Sequence, residues 1–355
     1  MIVTDLFIAG IKAVIEYVAA HVLTCLVPAF FIAGAMSALL PKEKITQYLG
    51  QKVSKLKAYP LSVVAGLLLA VCSCTILPLF AGIKKKGAGI GPALAFLYTA
   101  PATNIMAILF TGSVLGWNFA LARIILSVTF AIVIGIIIST IFKKEDLEEE
   151  KKATPALVSA KVQDSKDMPF FQKHRLIFFF ITLVSILIVG TRVNGYLRYV
   201  IIAGLIVILT LLTKLLFSKE ETKSWLFETW TFTKKIFPLL LGGIFLAGVL
   251  TALLPQNFLA TFMGKNTLFA NLIAVLFGVF MYFPTLVEVP MAKMFLGLGM
   301  AKGPLFAYLL ADPVISLASI LVVRKFIGTK RTLVYVGLII VFTTISGLIY
   351  GAIVG

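Results

Sequence analysis

Ten apolar stretches, most of them near the length that crosses a bilayer, constrain this chain more than any other feature. They run at roughly 6–40, 60–83, 88–110, 115–142, 174–191, 196–217, 234–255, 267–292, 301–323 and 332–354. Bilayer hydrocarbon takes about 20 consecutive apolar residues in helical form. Within it, only helices and closed barrels satisfy their own backbone hydrogen bonds. Long continuous apolar runs, rather than short alternating ones, select the helix. The residues are 60% hydrophobic and only 13% charged, against about 25% charged in soluble domains. A water-dissolved enzyme, a disordered tail and a nucleic-acid-binding domain are therefore excluded. The expected fold is an all-α polytopic membrane protein. Its first residues, MIVTDLFIAG, lack the basic stretch and cleavage site of a removable signal, so they are expected to stay with the protein.

The chain holds 32 basic and 15 acidic residues, a net charge of +17. In a soluble protein this would suggest nucleic acid as a partner; between apolar segments it reads as the lysine and arginine excess of cytoplasmic loops. Residues 143–173, beginning KKEDLEEEKK, are too polar to enter lipid and too poor in apolar residues to build a core. They are expected to form a charged cytoplasmic connector.

Laying the two ends of the chain over one another exposes a repeat. IAGAMSALLP, ending at Pro41, matches LAGVLTALLP, ending at Pro255, and Gly50 falls over Gly264 at the same offset. With a slightly smaller offset Pro78 falls over Pro290, Gly87 over Gly299, Gly91-Pro92 over Gly303-Pro304 and Pro101 over Pro313. The division that follows is a first membrane repeat (1–142), the connector (143–173), two linking transmembrane helices (174–233) and a second membrane repeat (234–355). If all ten stretches crossed the membrane, the basic residues outside the fourth segment would divide twelve against nineteen. If the second stretch of each repeat dips in and returns, they divide twenty-five on the cytoplasmic face against six outside, the asymmetry that the positive-inside rule describes. Letting the third stretch return instead gives nearly the same division, so charge leaves the choice open. Either way about eight helices span, and the two repeats start from opposite faces, giving inverted-topology repeats with broken or re-entrant helices. Such breaks meet near the bilayer midplane in secondary transporters. Pro78, Pro101, Pro290 and Pro313 are the expected structural breaks.

The residues able to carry chemistry gather at those breaks. Cys72 and Cys74 lie in AVCSCTILPLF with Ser73 and Thr75 between and beside them. Two thiols converging at a helix break would chelate a soft centre such as Cu(I) or trivalent arsenic; plain packing is the other reading. Cys25 reads as an apolar filler. No permanent metal site is expected, because there is no second cysteine pair, and His21 and His174 have no ligand spacing. No cofactor is expected either: the stretch from Gly82 to Gly87 only begins like a phosphate loop, with Ala88 where the lysine belongs. The second repeat replaces the cysteines with Glu288 and Asp312. Carboxylates at membrane depth face an interior cavity and mark pathways or proton relays, so both are proton-coupling candidates, with Lys293 an alternative neutralising partner for Glu288. Thr103, Asn104 and Ser316 would complete a polar lining for substrate. Gly87 with Gly91, and Gly299 with Gly303, have the spacing that lets helices approach closely. Trp225 and Trp230 read as headgroup-level anchors, and Arg123 as a side chain that either snorkels outward, the plainer choice, or pairs with a carboxylate.

The strings CSCTILPLF, GAGIGPALAFLYTAPATN, PTLVEVP and GPLFAYLLADPVIS together resemble the ArsP-type organoarsenical efflux permeases and their YraQ-like relatives. The resemblance covers both repeats. It implies a permease of the bacterial inner membrane and, in the arsenical branch, export of trivalent organoarsenicals through membrane cysteines, for which Cys72 and Cys74 are the matching positions. The leading expectation is secondary-active export of a small thiophilic or metalloid compound, with proton coupling. A permease for a sulfur species or another small solute, or a channel or assembly subunit of a membrane complex, stays open beside it. The partners expected are the substrate and the lipid bilayer, with a second copy or a small subunit also open.

Overall fold

The computed structural model describes residues 2–19, 26–39, 48–50, 53–69, 73–145, 175–192, 195–252, 258–281 and 288–354, and no strand occurs among them. Residues 1–142, the expected first repeat, contain α1 (Ile2–Tyr17), α2 (Val27–Leu39), α3 (Lys55–Leu69), α4 (Ser73–Lys85), α5 (Ile90–Ala102), α6 (Ile105–Val114) and α7 (Trp117–Ile141). Beyond its first three residues, the charged connector lies outside the described residues. The linking pair is α8 (Arg175–Arg192) and α9 (Tyr196–Leu216). The remainder is α10 (Lys219–Ala252), α11 (Phe258–Met263), α12 (Leu268–Phe280), α13 (Glu288–Gly297), α14 (Lys302–Ala311), α15 (Leu317–Ile327) and α16 (Thr329–Val354).

Three of these helices, α7, α9 and α16, are long and apolar enough to cross a membrane unaided. A fourth span results if α5 and α6, which meet at 46°, are taken together. Unbroken helices among the described residues thus fall short of the eight spans expected, because several apolar stretches are interrupted. The stretch 88–110 is divided at Thr103 and Asn104, just after Pro101. Similarly, 301–323 is divided between Asp312 and Ser316, where Pro313 has no N–H to continue the ladder. Pro78 and Pro290 sit elsewhere than expected: each lies inside a helix, Pro78 in α4 and Pro290 in the first turn of α13. Proline is tolerated in a first turn because that N–H has no intrahelical acceptor.

The span α9 has no buried residue. A helix apolar on every side that packs chiefly on α8 and leaves every residue at least partly uncovered is stable only in lipid. By contrast α14 is buried from Gly303 through Ala311, and α5 is buried along its whole length. These two short helices are the centre of the molecule.

Their packing is duplicated. α5 rests on α3 and α7, while α14 rests on α12 and α16, the same neighbours counted in repeat order. In the first set a Cβ on Gly91 would stand 2.6 Å from the Gly135 carbonyl oxygen. In the second, a Cβ on Gly303 would stand 2.8 Å from that of Gly347. Both glycines let a short central helix touch a long one backbone to backbone, as their spacing predicts. Gly87 and Gly299 have a different task. Their φ angles of 92° and 91° place them in left-handed turns that open α5 and α14, a conformation that a side chain disfavours.

Long α10, about 51 Å at the helical rise per residue, packs along α1, α2 and α15 and so touches both halves. Trp225 lies on its polar N-terminal part but is not a headgroup anchor. It is 5% exposed, its indole N–H donates to the Phe31 carbonyl at 2.8 Å, and its ring meets Phe31 and Phe179 edge-on. Trp230, one and a half turns on, faces outward under the Lys234 ammonium.

Candidate functional site

Arg123 lies on α7 in the stripe Phe119, Ala120, Arg123, Ser127, Phe130, Ala131 and Ile134, whose three- and four-residue steps define the buried face. Carried inward by that geometry, it is 1% exposed and cannot snorkel. Glu288 opens α13, where the unpaired N–H groups of a first turn favour an anion, and it is fully buried. Asp312 closes α14: its N–H bonds the Tyr308 carbonyl at 2.9 Å, and its side chain is buried where the chain turns toward α15.

These three charges form one cluster. The Arg123 Nη2 donates to Glu288 Oε1 in a buried ion pair, and Nη1 donates to the Thr111 hydroxyl at 3.3 Å. Thr111 belongs to α6, so one guanidinium ties two helices of the first half to α13 of the second. Asp312 lies within electrostatic range of both Glu288 and Arg123. Lys293 is exposed on α13, and the partner of Glu288 is Arg123.

Much of the cluster's hydrogen-bonding capacity is unused. Arg123 Nε, Glu288 Oε2, both Asp312 carboxyl oxygens and the Tyr98 and Tyr308 hydroxyls are buried with no partner in hydrogen-bonding geometry among the described residues. Tyr308 interacts with Asp312 one helical turn away, yet neither group reaches bonding geometry. Native interiors leave few such groups, and each asks for a reason. Here they converge from both halves, as a place prepared for a proton, water or a polar solute would require. An apolar cavity of about 340 Å³ between α2 and α10, lined by Leu26, Phe30, Trp230 and Phe237 among others, contains none of these residues.

The other expected site residues are distributed as follows. Cys72 and Cys25 lie outside the described residues, as does the side chain of Cys74, so the meeting of thiols and carboxylates falls there too. Ser73 and Thr75 are buried at the start of α4. The Thr103 hydroxyl donates to the Thr99 carbonyl at 2.7 Å, and Asn104, buried at the break, gives its carbonyl to the Ile108 N–H. Ser316 caps α15, exchanging bonds with Ser319 in a capping box. Glu288 and Asp312 are brought together; Asn104 and Ser316 occupy matching positions after the two breaks. Among the described residues no group of three His, Cys, Asp or Glu side chains is placed to hold a metal.

Sequence reasoning offered a carboxylate as one partner for Arg123 but preferred snorkelling, and it missed Tyr98 and Tyr308. The available signal was one arginine in a 25-residue apolar helix, together with hydroxyls in the matched strings GPALAFLYTAP and GPLFAYLLADP. A second polar link ties the first repeat to α10 away from the cluster. Lys85 Nζ donates to Glu228 Oε1 at 2.6 Å, and the Ser37 hydroxyl reaches Oε2 at 3.1 Å.

Comparison with known proteins adds what geometry alone does not. A family model, ArsP_1, described as a predicted permease, matches residues 7–352. The UPF0718 protein MJ0584 of Methanocaldococcus jannaschii is 39% identical over 97% of this chain and 95% of its own. The UPF0718 protein YraQ of Escherichia coli is 22% identical over 84% of this chain and 68% of its own. The UPF0718 protein YcgR of Bacillus subtilis is 26% identical over 33% of this chain and 40% of its own. No solved structure matches.

Proposed function

Because the chain belongs to the ArsP_1 family of predicted permeases, we propose that it is a secondary-active permease exporting a small thiophilic or metalloid compound, such as a trivalent organoarsenical, across the cytoplasmic membrane. In this reading the two repeats insert upside down relative to each other and rock about the buried interface that they share, exposing it alternately to the two sides. Cys72 and Cys74 hold the soft centre reversibly, Ser73, Thr75, Thr103, Asn104 and Ser316 line its route, and proton binding in the buried carboxylate cluster of the second repeat drives it outward.

One observation carries the reading: charged groups from both halves meet inside an all-helical membrane protein, with acceptors and donors left unused. Ionisable groups at such depth are costly and mark transport pathways. The duplicated packing of α5 and α14 supports the repeat architecture, and the close spacing of Cys72 and Cys74 in the sequence supports a thiophilic cargo.

The test is uptake of methylarsenite into everted membrane vesicles containing the full chain. Vesicles with the protein should accumulate it under a proton gradient, and Cys72→Ser or Cys74→Ser should abolish that accumulation at unchanged protein level. Accumulation that survives both substitutions would remove the thiols from the site. Equal uptake in vesicles without the protein would remove the arsenical as cargo.

A further inference from the structure

We propose that Asp312 alone is the proton-binding group of this protein, whereas Glu288 is a fixed counter-charge that holds Arg123 between the two halves. The inference rests on the permease reading only for its consequence, not for its test.

The two carboxylates were equivalent candidates in sequence, and their surroundings separate them. Glu288 has a committed partner in Arg123, which is itself bonded to Thr111. Asp312 is 4% exposed and has no ion pair among the described residues; the Tyr308 hydroxyl interacts with it, outside strict bonding geometry. An ionised carboxylate buried without an ion pair is the most expensive state available to it, and binding one proton removes that cost. Charge counting agrees. With both carboxylates ionised the cluster carries +1 and −2, an uncompensated negative charge; a proton on Asp312 brings the sum to zero while the Arg123–Glu288 pair remains intact.

Among the described residues no other group around Asp312 competes for this role. Its own helix offers Tyr308, and α16 offers Tyr335 and Tyr350, with Lys330 and Arg331 in its first turn, where Arg331 pairs with Glu145. α12 brings no titratable side chain and approaches with Gly278, where a Cβ would stand 3.5 Å from that of Asp312. α13 contributes Glu288, with Lys293 exposed on the helix, and α7 contributes Arg123. Lys302 stands at the far end of α14, and Arg324 and Lys325 in the last turn of α15. Room for the returning charge also exists. Arg123 keeps one unused donor, Nε, so an ionised Asp312 competes with Glu288 for the same guanidinium. Loss of the proton thereby loosens the bond that ties α7 to α13, and protonation of one half is felt by the other.

Infrared difference spectroscopy of the purified full chain between acid and alkaline buffer tests this without any cargo. Wild type should show a carboxylic-acid carbonyl band that disappears at alkaline pH together with a change in the guanidinium bands. Asp312→Asn should lose both signals, Glu288→Gln should keep the carboxyl band, and Asp312→Glu should restore it at a shifted frequency. A band retained in Asp312→Asn, or lost in Glu288→Gln, would overturn the assignment. So would its unshifted persistence in Asp312→Glu, which serves where the asparagine variant does not fold. A carboxyl signal with no guanidinium change would overturn the link to Arg123. If sodium at fixed pH removed the band, the site would be a sodium site and the proposal would fail. Absence of methylarsenite transport by wild type would count against the permease reading and leave these spectra standing.

Discussion

Breaking the Arg123–Glu288 pair from either side should have unequal costs at alkaline pH, where Asp312 is ionised, and the inequality follows from that third charge. Two opposite charges 4 Å apart interact by about 4 kcal/mol at an effective dielectric of 20. Removing one member of a buried pair typically costs ~3–5 kcal/mol, because the survivor stays buried without compensation. Glu288→Met strands Arg123, but Thr111 still accepts from it and Asp312 lies within electrostatic range, so the loss should fall near the lower bound. Arg123→Met strands Glu288 beside a second carboxylate with no cation left in the cluster, so its loss should reach the upper bound. Replacing both by methionine removes the uncompensated charges and should be near neutral, or stabilising by up to ~4 kcal/mol, as in other buried pairs. The assay is unfolding in mixed detergent and dodecyl sulfate micelles, followed through tryptophan fluorescence, which Trp225 reports from a buried site. If the double variant lost the sum of the two single losses to within ~0.5 kcal/mol, the residues would be energetically independent, and the cluster would not be the link between halves described above.

Three further outcomes are expected. Gly91→Ala and Gly303→Ala should each destabilise by ~1–3 kcal/mol, as overpacking does, since the new methyl meets the carbonyl oxygen of Gly135 or Gly347; the same unfolding assay measures this, and a neutral result would mean that the central helices do not touch their long neighbours. Lys85→Ala should cost at most ~1 kcal/mol, because the lysine is 49% exposed although it bonds Glu228; a loss as large as that of Arg123 would place this link in a buried environment. The uptake of methylarsenite should respond to Cys72→Ser and Cys74→Ser as set out under the proposed function.

Much of the architecture is legible in the order of residues because it depends on local and periodic physics. Apolar length announces a helical membrane protein, since hydrocarbon admits no unpaired backbone. The breaks after α5 and α14 are announced by Pro101 and Pro313, and the close approaches of Gly91 and Gly303 by their spacing. Glu288 and Asp312 stand out because each is a charge in an apolar run. Other features lie beyond such reading. Pro78 and Pro290 look like breaks yet stand inside helices; for Pro290, in a first turn, the missing N–H forfeits little. Trp225, in a basic polar stretch, looks like an interface anchor until Phe31 and Phe179 enclose it.

What the chain determined by itself is therefore its solvent, its helical character, its duplicated small-residue and proline pattern, and the identity of its rare buried charges; each is set by transfer free energy or backbone sterics over a few turns. Only the folded molecule decided who partners whom. Arg123 and Glu288 are 165 residues apart, and nothing local to either helix specifies the other. Their pairing, and with it the isolation of Asp312, arises because packing sets α13 against α6 and α14 and brings α7 onto α14, leaving one cation to neutralise two carboxylates far from water.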